Sequence, residues 1–224
     1  LAVVFNSSPL YSQQSENDGK HHLYAATFAS ESESGQDEGA NKSIVDKKKK
    51  MRILNLKEIV NHEGLDYAPT ISADGRKLYF VSNRPGSRLT EDDNDSHDFW
   101  VAVKEERLDT IFFVPVNIDT STALGNIGVN TPLNEGASSI AADGQTLYFT
   151  GCNRPDGFGD CDIYESLIEG ENWRRPVNLG RNVNSKFWDS QPSISPYGDR
   201  VYFTSNRPGP NGDDNIDIWY ADYD

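Results

Sequence analysis

The stretch "LYFVSNRPGS", Leu78 to Ser87, decides how this chain is read, because it is written three times. It returns as "LYFTGCNRPDG" from Leu147 and as "VYFTSNRPGP" from Val201. Each copy follows a turn-like lead: "ISADGRKLYF" begins at Ile71, "IAADGQTLYF" at Ile140 and "ISPYGDRVYF" at Ile194, spaced by 69 and 54 residues. Self-similarity on this scale is the mark of a repeat architecture. The likeness extends upstream, where "VNHEGLDYAPTIS" (60–72), "VNTPLNEGASSIA" (129–141) and "VNSKFWDSQPSIS" (183–195) share one register. It extends downstream to "HDFWVAV", "CDIYESL" and "IDIWYAD". "IFFVPVNI" and "NWRRPVNLG" lie between units and read as further strands.

The repeated segments predict strands, not helices. They are short, rich in Val, Ile, Tyr, Phe and Trp, and closely bounded by turn residues such as "ADG" and "RPG". Each unit therefore holds four short antiparallel strands. "LYFV" is apolar on both faces, so it must be covered on both sides, whereas a one-sided sheet would alternate. Four-stranded sheets stacked face to face around an axis meet that demand, and that is a β-propeller. The fold class expected is all-β, an incomplete propeller of three repeats (61–118, 119–179, 180–224) after a partial N-terminal blade (21–60). In that partial blade "HHLYAATFA" (His21 to Ala29) is the third strand and "MRILNLKEIV" (Met51 to Val60) the fourth.

The units resemble the TolB-type, WD40-like (PD40) propeller repeat of exported bacterial envelope proteins. The matching residues are Pro69 or Pro192 before the first strand, Asp74-Gly75 or Asp143-Gly144 in the turn, "LYF", Asn-Arg-Pro, and "DIY" or "DIW". Ser138, Tyr197 and Phe99 depart from the pattern, and "GSRLTEDDNDSH" replaces a short Gly-rich loop. The resemblance implies an exported protein of the periplasm or outer membrane, a non-catalytic scaffold or binding module with protein partners. Such repeats are often joined to an OmpA-like peptidoglycan-binding domain, so peptidoglycan is an implied partner through a further domain. Three repeats are fewer than the ~4–8 blades of a closed propeller. The chain is accordingly expected to be a piece of a larger propeller protein or to close by association.

Composition narrows the partners. The 224 residues carry 35 acidic and 21 basic side chains, a net charge of −14, which repels phosphate backbones and argues against nucleic acid. No run approaches the ~18 apolar residues of a membrane span. "LAVVF" at the start reads as a signal-peptide remnant within a disordered segment, 1–20, or as a buried first strand. The polar stretch 31–50 predicts a mobile loop, and its "KKKK" either meets anionic lipid or stays solvated beside its acidic neighbours.

Several constellations invite a chemical reading. Asn83-Arg84, Asn153-Arg154 and Asn206-Arg207 end the second strands, and Asp98, Asp162 and Asp217 begin the third. An Arg fork on these carboxylates, with Asn bonding turn backbone, would lock each hairpin. The competing reading is a ring of anion-binding arginines, which the repetition in every unit disfavours. Asp66, Glu135 and Asp189, just before the innermost strands, are candidate channel-mouth carboxylates. Two carboxylates there would allow glycoside hydrolysis, but catalytic residues usually break a repeat. The third loops place oxygen ligands at alternate positions: Asp92, Asn94, Ser96, Asp98; Asp156, Asp160, Asp162; Asn211, Asp213, Asn215, Asp217. That is how a calcium loop curls, and a calcium-dependent glycan binder is the reading it allows, against plain Asx turns. No cofactor motif is found, and the four histidines form no metal pattern.

Cys152 and Cys161 are the only cysteines. No Cys or His complements them as zinc ligands, so a local disulfide is expected, in keeping with export, against two buried thiols. In the repeat alignment Cys152 takes the place of Ser82 and Ser205, Cys161 that of His97 and Ile216, and Gly151 is the extra residue.

Overall fold

The computed structural model describes residues 24–29, 50–90, 96–105, 112–119, 128–209 and 215–223. The expectations for 1–20, for the loop 31–49 and for Asp92, Asn94, Asn211 and Asp213 lie outside the described residues.

The described chain is all-β apart from one helical turn, and its sheets are antiparallel. The first repeat forms β3 (Asp66–Ile71), β4 (Lys77–Ser82), β5 (Asp98–Val103) and β6 (Val116–Asn117), hydrogen-bonded in chain order. The second forms β7 (Glu135–Ile140), β8 (Thr146–Cys152) and β9 (Cys161–Glu169). The long β9 then pairs with both β10 (Asn172–Trp173) and β11 (Val177–Asn178). The third forms β12 (Asp189–Ile194), β13 (Arg200–Ser205) and β14 (Asp217–Asp222). Ahead of them β1 (Tyr24–Ala29) pairs with β2 (Lys50–Asn55), as expected for third and fourth strands. The fourth strand was expected to run to Val60. It ends at Asn55, whose Oδ1 accepts the Lys57 N–H (2.6 Å) and so closes a turn that leads into α1 (Lys57–Val60).

The turn after the first strand explains which repeat residue is indispensable. Gly75, Gly144 and Gly198 have φ of 72°, 70° and 73°, the left-handed region where a Cβ is penalised. Asp74 and Asp143 help by accepting the Arg76 and Gln145 N–H groups, yet the third turn keeps its shape with Tyr197 instead. The first strand has its own signature. Ala68, Ala137 and Gln191 sit at equivalent places with positive φ, where each register shifts by a bulge against the second strand.

The sheets stack in chain order with β3, β7 and β12 side by side. Tyr79, Val81 and Phe99 of the first sheet pack against Leu147, Phe149 and Tyr164 of the second. Ile163 of the second packs against Phe203 of the third, with Trp219 and Ala221 alongside. The opposite face of the first sheet, Leu78, Phe80, Trp100 and Ala102, is closed by Val60, Leu56 and Phe112. Covering "LYFV" on both faces is what its composition demanded: Leu78 through Val81 are all buried.

Candidate functional site

The charged residues singled out by the repeat converge where the second strand ends, but in a different pairing from the expected one. In the first unit Arg84 Nη2 donates to Asp66 Oδ1 (2.6 Å) and to the Val60 carbonyl (2.6 Å), while its Nε donates to Ser82 Oγ (3.0 Å). In the third, Arg207 Nη2 donates to Asp189 Oδ1 (2.6 Å) and the Val183 carbonyl (2.5 Å), and its Nε to Ser205 Oγ (2.9 Å). Each carboxylate also accepts the backbone N–H four residues earlier, from His62 or Ser185 (both 2.6 Å). Each guanidinium lies over the aromatics of its own sheet, Phe80 and Trp100 or Phe203 and Trp219. Arginine thus ties the second strand's end to the first strand's start and to the segment entering the unit. We call this set the latch.

Asp66, Glu135 and Asp189 are therefore not open channel-mouth carboxylates. All three are buried, at 1%, 1% and 0% exposure, beneath the arginines. The arginines do not fork onto Asp98, Asp162 or Asp217 either. Asp98 and Asp162 are already occupied by donors of their own loops and of the fourth strand. Asp98 accepts from Arg88 N (2.9 Å), Ser96 Oγ (2.6 Å) and Asn117 Nδ2 (2.8 Å). Asp162 accepts from Phe158 N (2.5 Å), Gly159 N (3.3 Å) and Asn178 Nδ2 (2.9 Å). Burial pushes both carboxyls up, and these hydrogen bonds oppose it. Asn83 and Asn206 bond backbone, as expected, but that of the segment before the first strand: they accept from Leu65 N and Trp188 N (both 2.8 Å).

The second unit departs from this plan. Glu135 replaces the aspartate, and Arg154 Nη1 reaches its Oε1 only at 3.4 Å. Arg154 is held instead by the carbonyls of Gly128 (2.7 Å) and Val129 (3.2 Å). Glu135 leans on Thr131, accepting from its hydroxyl (2.5 Å) and its N–H (3.0 Å). Burial pushes the Glu135 carboxyl up to about 8, with Thr131 and Arg154 opposing that rise. Gly151 stands opposite Asp162, as Ser82 stands opposite Asp98 and Ser205 opposite Asp217. The alignment is thereby corrected: Gly151 holds the serine's place and Cys152 is the inserted residue. A Cβ on Gly151 would overlap Arg154 Cδ, so the glycine makes room for the longer reach. Cys152 pairs directly with Cys161 across the hairpin, and the two form the expected disulfide. Asn153, next to it, adopts a left-handed φ of 56°.

Among the described residues no three His, Cys, Asp or Glu side chains gather as a metal site. Asn215 and Asp217 are described; the other two members of that candidate calcium loop are not. No described helix is long and apolar enough to cross a membrane.

One repeated constellation escaped the sequence reading. Asn130 and Asn184, each the Asn of a Val-Asn pair, clamp the backbone of the third strand. Asn130 accepts Phe99 N–H (2.8 Å) and donates to Phe99 O (3.0 Å); Asn184 does the same with Ile163 (2.8 Å both ways). Each also donates to the asparagine of the fourth strand, Asn117 (2.7 Å) or Asn178 (2.8 Å), which in turn holds Asp98 or Asp162. Asn61 and Asn55 repeat the pair at 3.0 Å. The recurring Val-Asn was the available signal.

No protein-family model and no curated protein matches the sequence. Among solved structures, the chain is similar to TolB from Acinetobacter baumannii, with 16% identity, a TM-score of 0.48, and coverage of 77% of this chain and 35% of that one. It is similar to a puromycin-hydrolyzing peptidase from Mycobacterium tuberculosis, with 10% identity, a TM-score of 0.48, and coverage of 99% and 29%. A protein assigned as TolB from Agrobacterium tumefaciens shows 20% identity, a TM-score of 0.37, and coverage of 77% and 62%. This chain thus spans about a third of the first two and under two thirds of the last. None reaches a TM-score of 0.5, so these likenesses assign neither family nor function.

Proposed function

We propose that this chain is a non-catalytic scaffold or binding module built on β-propeller repeats, within an exported protein of the cell envelope. The observation that carries this reading is the latch. The three candidate carboxylates are buried against an arginine at equivalent places in all three units. A hydrolase needs a carboxylate pair open to substrate. Here Asp66 and Asp189 are spent on arginine and backbone, and Glu135 is enclosed. The disulfide supports an oxidising compartment. Partners are then proteins of the periplasm or outer membrane, with peptidoglycan reached through a further domain.

Two experiments test this. Acid-quenched alkylation of the protein in its own cells should find Cys152 and Cys161 oxidised; two free thiols would overturn the export reading. A panel of polysaccharides and aryl glycosides should give no turnover. Turnover lost in Glu135→Gln with the fold intact would overturn the scaffold reading.

A further inference from the structure

We propose that the strip formed by Phe158, Arg181, Lys186, Phe187 and Trp188, where the second unit meets the third, docks an acidic segment of a partner protein through carboxylates set against the two cations. The proposal rests on the binding-module reading and names the partner's chemistry; it does not need the export assignment.

The strip is built on firmly held backbone. The disulfide closes the base of the loop that carries Phe158, and Asp162 accepts the Phe158 N–H (2.5 Å). Gly159 lies so close to the segment entering the third unit that a Cβ there would collide with the Phe187 carbonyl oxygen. That segment is itself fixed: Phe187 N–H donates to Ser185 Oγ (3.1 Å) and Trp188 N–H to Asn206 Oδ1 (2.8 Å). Arg181 follows the left-handed Gly180 (φ 73°) and sets its guanidinium over the Phe158 ring at 4.7 Å. Lys186 Nζ stands 5.2 Å from the centre of the Phe187 ring. Phe158, Arg181 and Lys186 are exposed, and Phe187 and Trp188 are half-buried. An arginine stacked on a ring keeps the edge of its fork open to a carboxylate.

Two observations select an acidic partner. The first is that these cations are unspent. Acidic side chains outnumber basic ones 35 to 21, and the exposed Arg174 and Arg200 pair with Glu169 and Asp222. Among the described residues Arg181 and Lys186 form no ion pair and meet only their aromatic rings. Asp156 and Asp160 are exposed on the same loop, but Asp156 is turned to the Tyr164 hydroxyl (3.1 Å) and neither pairs with these cations. The second observation is a reversal within the repeat. The turn from Asn178 to Asn184 matches that from Asn55 to Asn61, with the same asparagine bond across each and left-handed Gly180 in the place of left-handed Lys57 (φ 58°). Arg181 therefore stands where the first unit has Glu58, and Lys186, Phe187 and Trp188 where it has Glu63, Gly64 and Leu65. One backbone frame carries two exposed acids at the first unit's entry and two cations with aromatic rings at the third's. The frame needs neither set, so the difference is free to serve recognition. Fixed aromatics beside an arginine are the anchors that protein interfaces use, and charge complementarity chooses which partner reaches them.

The probe is a dye-labelled peptide, Glu-Glu-Phe-Glu-Glu, titrated into the full-length chain. It should bind saturably and shift the amide resonances of 156–160 and 180–188. Raising NaCl from about 50 to about 300 mM should weaken it severalfold. Arg181→Glu with Lys186→Glu should weaken it tenfold or more. Arg174→Glu with Arg175→Glu changes the net charge equally and should leave it unchanged. Phe158→Ala keeps both cations and should weaken it about threefold, with the thermal midpoint close to that of the parent. Equal binding by the Arg181 and Lys186 variant, equal loss in the Arg174 and Arg175 variant, or shifts that spare the strip would overturn the proposal. So would polygalacturonate shifting these amides where the peptide does not, which would make an acidic glycan the occupant. A peptide that fails to bind at all would overturn it too, yet leave the non-catalytic reading standing, since turnover alone judges that.

Discussion

The first and third repeats solve one mechanical problem with the same residues, and the second solves it with different ones. Asp66–Arg84 and Asp189–Arg207 meet at 2.6 Å, each with a serine on the guanidinium Nε. Glu135–Arg154 stands at 3.4 Å, with glycine where the serine would be, and a disulfide closes the same hairpin end. The repeat therefore preserves a function, fastening the second strand's end to the segment that enters the unit, and not a list of residues. Where the ion pair loosens, backbone carbonyls and a covalent bond take its place.

Breaking the latch should separate the units most clearly. Arg84→Ala strands a buried Asp66 carboxylate and should destabilise by about 3–5 kcal/mol in urea unfolding. Arg154→Ala should cost less, about 1–3 kcal/mol, because Glu135 can stay protonated when its cation is gone. The disulfide comes next. Cys152→Ser with Cys161→Ser should lose about 2–3 kcal/mol by loop entropy. Amide exchange should then quicken in 153–160 and stay unchanged around Arg84. Gly151→Ser, which writes the residue of the other two repeats into the second, should destabilise by about 1–3 kcal/mol through overlap with Arg154. The reverse change, Ser82→Gly, should cost only about 1 kcal/mol for the lost Nε bond and chain entropy.

A further prediction concerns pH. Glu135 has a folded value of about 8 against 4.5 for the free group. Between those values the folded state holds a proton that the unfolded state has released. Stability from this group is thus full below about pH 4.5 and is lost as pH rises towards 8, at up to about 1.4 kcal/mol per pH unit. Glu135→Gln, uncharged throughout, should flatten that slope between pH 5 and 8. An unchanged slope would show that Glu135 is ionised in the folded chain.

How much of this was legible depended on whether the signal was local. The second and third strands facing each other and the Cys152–Cys161 bond were legible in the repeat. The first strand was placed too late: it begins at Asp66, Glu135 and Asp189, expected just before it, and includes Pro69 and Pro192. The latch partner was not legible. Asp98 and Asp162 looked nearest to the arginines along the hairpin, but their lone pairs go to loop N–H groups and to Asn117 and Asn178, which no hairpin argument includes. The arginine reaches back 18 residues to Asp66, or 19 to Glu135, across the first hairpin. The place of Gly151 was misread because a sequence alignment follows residue type, and Cys152 is closer to serine than glycine is. Only strand register, with Gly151 opposite Asp162, settles the insertion.

The most direct test of the account is a pair of double-mutant cycles by urea unfolding at pH 7, one on Asp66 and Arg84, the other on Glu135 and Arg154, each with Ala and Asn or Gln replacements. The account predicts a coupling energy of about 2–3 kcal/mol for Asp66–Arg84 and about 1 kcal/mol or less for Glu135–Arg154. Equal couplings, or a stronger one in the second repeat, would contradict it.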